Sequence, residues 1–201
     1  MNWEQFDKMV EQAKKAFVPD HLRARHIISS STANPYYSLI SWIYNNMEGP
    51  VFEIGCDYGC AAACALDRGK DGYRLNSAPY FGIDIKPVPY AHDNFHLIYG
   101  DSNNEAIAHQ LAKVAEMYGG FSCVFQDSSH YYEESKKEWE LYSPMVRKGG
   151  IWMADDILPS FKKPGDDKGM VDYWNELPGE KRLYNDLHIG SRIGVLLLLT
   201  W

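Results

Sequence analysis

The sequence predicts a doubly wound α/β fold: a mostly parallel sheet that ends in a C-terminal antiparallel hairpin. Three observations predict it. Short apolar runs alternate with segments of helical periodicity along the chain. The run Val51-Phe-Glu-Ile54 leads into Gly55 and then Gly59, which reads as a strand, a sharp turn and a helix start. Two later runs, Phe121–Gln126 and Gly150–Ala154, each lead into acidic residues and are joined by one helix-length segment, Tyr131–Arg147. Parallel strands joined by one helix are neighbours and point the same way. Asp127 and the pair Asp155-Asp156 therefore fall on one sheet edge, the edge where such sheets bind ligands.

Trp3, Phe6, Met9, Val10, Ala13 and Phe17 stand at helical spacing, so residues 1–17 form an amphipathic helix closed by Pro19. The Ser- and Thr-rich stretch Leu22–Pro35 reads as a loop, which makes 1–35 an N-terminal helical extension and 36–201 the main domain. A second helix covers about 36–47, and the first strand is Pro50–Ile54. Cys56, Cys60 and Cys64 follow at four-residue spacing. On a helix the outer two are roughly 12 Å apart at 1.5 Å rise per residue, too far to share an iron–sulfur cluster. They read instead as small apolar residues on a tightly packed face. A loop through Gly69, Gly72 and Pro79 leads to strands Tyr80–Ile85 and Phe95–Tyr99 and a helix over about 103–118. After the two strands and helix described above, Lys148-Gly149-Gly150 reads as a helix stop and tight turn. Ser160–Lys168 is a charged loop, Met170–Leu177 a helix, and Arg182–Trp201 two strands around His188-Ile-Gly190.

The chain has 201 residues, enough for one domain with a buried core. Its formal charge of −7 argues against nucleic acid as the main partner, which needs a basic face. The longest apolar run, Ile193–Thr200, is too short to span a bilayer, so no membrane partner is expected. The polar start Met1-Asn-Trp-Glu has no signal-peptide pattern, and a cytoplasmic enzyme is the default expectation.

Three carboxylates at one edge repel one another unless protons or a cation neutralise them. All-oxygen ligation suits Mg²⁺. His130 lies three residues after Asp127 at the same rim, in reach of a general-base role. Asp84 ends the second strand, where an acidic residue accepts hydrogen bonds from ribose hydroxyls. A Gly-x-Gly-x-x-Gly pattern is not met, because Asp57 stands where a second glycine would be, and no P-loop is present. Simpler roles stand beside these. Asp155 could cap the next segment and Asp156 could sit in a turn; His130 could bond the backbone at a helix start; Asp101 could be an N-cap. Ser128 and Ser129 read as helix caps, since the Gly-x-Ser-x-Gly elbow of a serine nucleophile is absent. Trp139, Tyr142, Trp152, Tyr173 and Trp174 read as core. Asn34-Pro-Tyr-Tyr37 is similar to the Asn-Pro-Pro-Tyr of amino-methylating DNA enzymes, but it lacks the second proline and precedes the first strand, and is set aside.

Glu53-Ile-Gly-Cys-Asp-Tyr-Gly59, Gly82-Ile-Asp-Ile85 and Gly100-Asp-Ser102 resemble the first three motifs of class I S-adenosylmethionine-dependent methyltransferases, which are Rossmann-like. The resemblance implies that Glu53, Gly55, Asp57, Gly59, Asp84, Asp101 and Ser102 bind the cofactor, with Asp84 at the ribose and Asp101 and Ser102 beside the adenine. Asp127-Ser-Ser-His130, Val146-Arg-Lys-Gly-Gly150, Ala154-Asp-Asp156 and Gly169–Leu177 resemble metal-dependent O-methyltransferases, of the types acting on macrolide sugars and cephalosporins. Many relatives have Asp-Gly-Asp-His where this chain has Asp127-Ser-Ser-His130.

The resemblance implies methyl transfer to a hydroxyl of a small molecule, a vicinal diol on a sugar or catechol. Mg²⁺ would be held by Asp127, Asp155 and Asp156, with His130 as catalytic base. No separate lid domain is legible, so acceptor recognition falls to the N-terminal helices, the 160–168 loop or a partner subunit in a homo-oligomer. The competing readings are a metal-free methyltransferase acting on nitrogen or carbon, and a non-catalytic cofactor-binding module.

Overall fold

In the computed structural model, residues 1–15, 35–67, 77–185 and 192–198 are described. The expected closure by Pro19, the 22–34 loop, Gly69, Gly72 and the His188-Ile-Gly190 turn lie outside them. The strands are β1 (Val51–Ile54), β2 (Tyr80–Asp84), β3 (Phe95–Tyr99), β4 (Phe121–Gln126), β5 (Val146–Ala154), β6 (Lys181–Tyr184) and β7 (Ile193–Leu198). The helices are α1 (Trp3–Lys15), α2 (Pro35–Asn46), α3 (Cys60–Asp67), α4 (Glu105–Met117), α5 (Tyr132–Tyr142) and α6 (Met170–Glu176).

Strand composition explains the layering. β1, β4 and β7 are buried along their whole length, as strands covered on both faces must be. Their side chains alternate between two cores. Val51, Cys123, Phe125, Ile151, Met153, Val195 and Leu197 face α1, α2 and α3. Phe52, Ile54, Val124, Trp152, Ala154, Leu196 and Leu198 face α4, α5 and α6. The period of two along each strand sends successive residues to opposite faces. Trp139, Tyr142, Trp152, Tyr173 and Trp174 are all buried, in keeping with the core reading.

The strand order is β3-β2-β1-β4-β5-β7-β6. β1 to β5 pair in parallel, whereas β7 runs antiparallel to both β5 and β6. The expected C-terminal antiparallel pair is therefore present. The order reverses between β1 and β4, and a crevice opens there at the carboxyl ends of the strands. α1 packs into the first core through Phe6, Val10 and Ala13, and Asp7 pairs with Arg182 at 2.7 Å and accepts from Tyr184 Oη at 2.8 Å on β6.

Three local expectations are corrected. The helix expected to run to Arg147 ends at Tyr142, followed by a 3₁₀ turn over Ser143–Met145. Pro144 cannot donate to the helix ladder, and its ring collides with the preceding turn. Lys148-Gly149-Gly150 is not a helix stop; it lies inside β5, where the pairing with β4 shifts register between Phe121 and Cys123. Cys56 is not on the cysteine helix, which begins at Cys60. It lies buried in the turn after β1, and a Cβ at Gly82 would come within 2.5 Å of its sulfur.

Candidate active site

The turn after β1 shapes the site. Gly55 has φ +85°, and a Cβ there would meet the Asp127 carbonyl oxygen at 2.1 Å. Only glycine combines that backbone with that approach, and it lets the exits of β1 and β4 touch. The Asp84 carboxylate braces the same turn. Its Oδ2 accepts the backbone N–H of Cys56 at 2.9 Å and of Asp57 at 2.8 Å, and its Oδ1 accepts that of Lys86 at 2.8 Å. A carboxylate offers about four acceptor sites, so capacity for a ligand hydroxyl remains. Glu53 is buried beneath the turn and accepts from Tyr80 Oη at 3.1 Å. Burial, with the nearby Asp127 charge, holds its carboxyl well above the usual range.

These residues line a cleft of about 510 Å³. Of the sequence-predicted residues, Glu53, Gly55, Asp57, Asp84, Asp101 and Ser102 are in its wall, together with Asp127 and His130. Gly59, Asp155 and Asp156 are not among the wall residues. Gly59 instead permits close packing: with φ +77°, a Cβ there would lie 2.6 Å from Tyr90 Cβ. Asp101 is not the N-cap of α4. That place belongs to Asn104, whose side chain accepts from Ala106 and Ile107 N–H, while Asp101 accepts from Asn103 N–H at 2.8 Å.

On the other side of the crevice, the imidazole of His130 stands between two carboxylates. Nε2 is 3.3 Å from Asp127 Oδ1 and Nδ1 is 3.7 Å from Asp156 Oδ2. His130 and Asp156 both have left-handed backbones, at φ +55° and +54°. Non-glycine residues held so cluster at functional sites. Phe161 packs its ring 5.5 Å from the imidazole. Tyr36 Oη donates to Asp127 Oδ2 at 3.4 Å. Asp155 is buried and its Oδ1 accepts the Asp156 N–H at 2.6 Å. Burial pushes the Asp127 carboxyl upward, as do the charges of Asp155 and Asp156, against the pull of His130. Burial alone would lower the His130 pKa, but the Asp127 hydrogen bond and the three carboxylate charges outweigh it and the net shift is upward. Among the described residues, no three metal-capable side chains already enclose a common point.

Two features escaped the sequence. Ser128 is not a helix cap: its hydroxyl donates to Glu138 Oε2 at 2.7 Å, and Tyr131 caps α5 without its side chain. Glu138 is a buried carboxylate in the cleft wall. Its signal was available, since Ser135, Glu138, Trp139 and Tyr142 share one helical stripe that also carries the core aromatics. Tyr36 and Tyr37 bring α2 to the same site, with Tyr37 in the cleft wall.

Comparison with known proteins gives the family and the fold. A methyltransferase-domain family profile matches residues 52–157, more than half of the chain. The chain belongs to that methyltransferase-domain family, and the resemblance to class I S-adenosylmethionine-dependent methyltransferases holds. A demethylmacrocin O-methyltransferase of Streptomyces fradiae is 28% identical over 82 residues, which are 40% of this chain and 20% of that protein. The match thus spans about a fifth of that relative's length. Among solved structures, a putative caffeoyl-CoA O-methyltransferase from Staphylococcus aureus superposes with a TM-score of 0.63 at 14% identity, covering 96% of this chain and 99% of that one. The methyltransferase of the mycinamycin pathway, solved with Mg, SAH and mycinamycin VI, gives a TM-score of 0.58 at 20% identity over 88% of this chain and 53% of that one. At these identities the structures share the fold.

Proposed function

We propose that the chain methylates a hydroxyl of a small molecule, a vicinal diol of a sugar or a catechol-like ring, using S-adenosylmethionine and Mg²⁺. The observation that carries this reading is the imidazole of His130, held between Asp127 and Asp156 against the wall of the cleft that contains the glycine turn. The names of the relatives support it, since the demethylmacrocin enzyme is an O-methyltransferase and the mycinamycin enzyme was solved with Mg and SAH. The net charge of −7 favours a small-molecule acceptor over nucleic acid.

In this reading Asp84 takes the ribose, Gly55 and Asp57 shape the seat of the methionine part with Gly59 packed behind them against Tyr90, and Asp101 lies by the adenine. Asp127, Asp155 and Asp156 fit a hard divalent cation in donor type. Burial first, and then their mutual repulsion, raises the Asp127 pKa, and such a cation relieves the repulsion. The three carboxylates must turn to close around it, because they do not yet converge. Once bound, Mg²⁺ would hold two neighbouring acceptor oxygens and make one more acidic.

The rest falls to the chain. The neutral imidazole takes the hydroxyl proton at Nδ1, which has the longer 3.7 Å contact, while Nε2 stays on Asp127. The acceptor oxygen forms a bond to the methyl carbon as the carbon–sulfur bond breaks, leaving S-adenosylhomocysteine. Cleft and glycine turn supply orientation, the main need of a sulfonium donor. Phe161 walls the imidazole on its loop side.

The test is a panel of sugar and catechol acceptors assayed for S-adenosylhomocysteine, with Mg²⁺ and after exhaustive chelation. Product that depends on Mg²⁺ is expected. Full turnover after chelation would favour metal-free transfer to nitrogen or carbon. Cofactor binding with no turnover on any acceptor would favour a non-catalytic module.

A further inference from the structure

Glu138 is a carboxylate in the cleft wall that the proposed chemistry leaves unused. It is 1% exposed, and a buried charge is costly unless it is fully hydrogen-bonded. It is bonded at both oxygens. Oε1 accepts from Ser102 Oγ at 2.5 Å. Oε2 accepts from Gln126 Nε2 and from Ser128 Oγ, each at 2.7 Å. Gln126 is itself fixed, donating to the Ser135 carbonyl at 3.0 Å and accepting from Tyr173 Oη at 2.7 Å. One helical turn beyond Glu138, Tyr142 Oη donates to the Ser102 carbonyl at 2.6 Å.

The two serines belong to turns that follow different strands. Ser102 follows Asp101 in the turn after β3. Ser128 lies between Asp127 and His130 in the turn after β4. Neither hydroxyl is directed by its own local turn; both end on one carboxylate of α5. Packing alone at this position of the helix stripe would be met by an apolar side chain, as it is at the next residue, Trp139.

We infer that Glu138 is a positioning residue that fixes the cofactor turn and the acceptor-side turn relative to each other. The inference rests on the proposed cofactor seat and acceptor end. Its Ser102 arm sets cofactor affinity, and its Ser128 arm sets the placement of Asp127 and His130 for the chemical step. It touches neither substrate nor reacting atoms.

Single hydroxyl deletions separate the arms without threatening the fold. Ser102→Ala should raise the Kd of S-adenosylhomocysteine by about tenfold with little change in kcat at saturating cofactor. Ser128→Ala should lower kcat by about tenfold and leave that Kd unchanged. Glu138→Ala should do both, and Glu138→Gln, which keeps one acceptor oxygen, should recover part of the loss. Glu140→Ala, at an exposed carboxylate of the same helix, should match the wild type. Melting temperatures are recorded for all, and calorimetry and turnover are run well below the lowest. A structural role alone would lower the melting temperature of Glu138→Ala while leaving Kd and kcat at wild-type values, and that result would overturn the inference. So would hydroxyl deletions that move Kd and kcat together. If the wild type itself fails to bind S-adenosylhomocysteine, the cofactor reading falls and this inference with it; normal wild-type binding with unmoved variants removes this inference alone.

Discussion

Gly55→Ala is the substitution whose cost follows most directly from the geometry. At φ +85° an alanine costs about 1–2 kcal/mol from its Cβ against its own backbone. Its methyl would also meet the Asp127 carbonyl oxygen at 2.1 Å, the Asp127 carbonyl carbon at 2.7 Å and Ser128 Cα at 2.9 Å. All three are backbone atoms, so no side chain can swing away. Forcing the exits of β1 and β4 apart adds about 1–3 kcal/mol, typical of overpacking. The sum is about 2–5 kcal/mol, and at about 2–4 °C per kcal/mol for a domain of this size the melting temperature should fall by about 4–20 °C. Gly119→Ala isolates the first contribution. Gly119 has φ +71° with open space where its Cβ would sit, so the loss should be only about 1–2 kcal/mol, or about 2–8 °C. Scanning calorimetry measures both, and titration with S-adenosylhomocysteine should show weakened binding for Gly55→Ala alone. Equal melting losses, with unchanged cofactor affinity in Gly55→Ala, would refute the claim that contact between the two strand exits builds the site.

Three further outcomes are expected. Asp84→Ala strips an acceptor from the N–H groups of Cys56, Asp57 and Lys86, and should weaken S-adenosylhomocysteine binding by about 1.5–3 kcal/mol in calorimetry. Glu53 has a folded pKa raised by burial, so the native state holds its proton longer than the unfolded chain; stability is full below the ordinary glutamate value of about 4.3 and falls as pH rises through the raised one. Glu53→Gln should flatten that decline in melting temperature against pH, and an unchanged slope would show that Glu53 does not carry it. His130→Ala should lower kcat by about 10²–10⁴-fold, with cofactor affinity little changed. In the wild type the rate should rise with pH as the imidazole loses its proton, and because its neighbouring carboxylates raise that pKa, added Mg²⁺ should move the rise to lower pH. Near wild-type turnover by the mutant across the pH range would reduce His130 to a structural residue.

Much of this arrangement follows from local pattern. Runs such as Val51–Ile54 and Phe121–Gln126 are apolar without a break because both faces of their strands are covered, and that mark survives in the linear sequence. The rule that strands joined by one helix run in parallel puts Asp127 and Asp155-Asp156 on one edge from the sequence alone. Gly55 and Asp84 were legible for the same reason: each stands at a strand end, where position alone assigns the edge. Other features depended on contacts between segments far apart in the chain. Two of the three donors to Asp84, Cys56 and Asp57, come from the turn after a different strand, 28 and 27 residues away. Glu138 takes its role from Ser102, 36 residues earlier in the chain, whose hydroxyl donates to it. The early end of α5 comes from Pro144, and the excursion of β5 at Lys148–Gly150 from a register shift against β4, where the glycine spacing reads as a helix stop and tight turn. Period and connectivity alone assign Asp84, Asp127 and the Asp155-Asp156 pair to the carboxyl edge of the sheet, because face and strand direction follow from them. Which carboxylates brace the turns and which stand beside His130 emerges in three dimensions, because a carboxylate's role depends on the donors that distant segments bring to it.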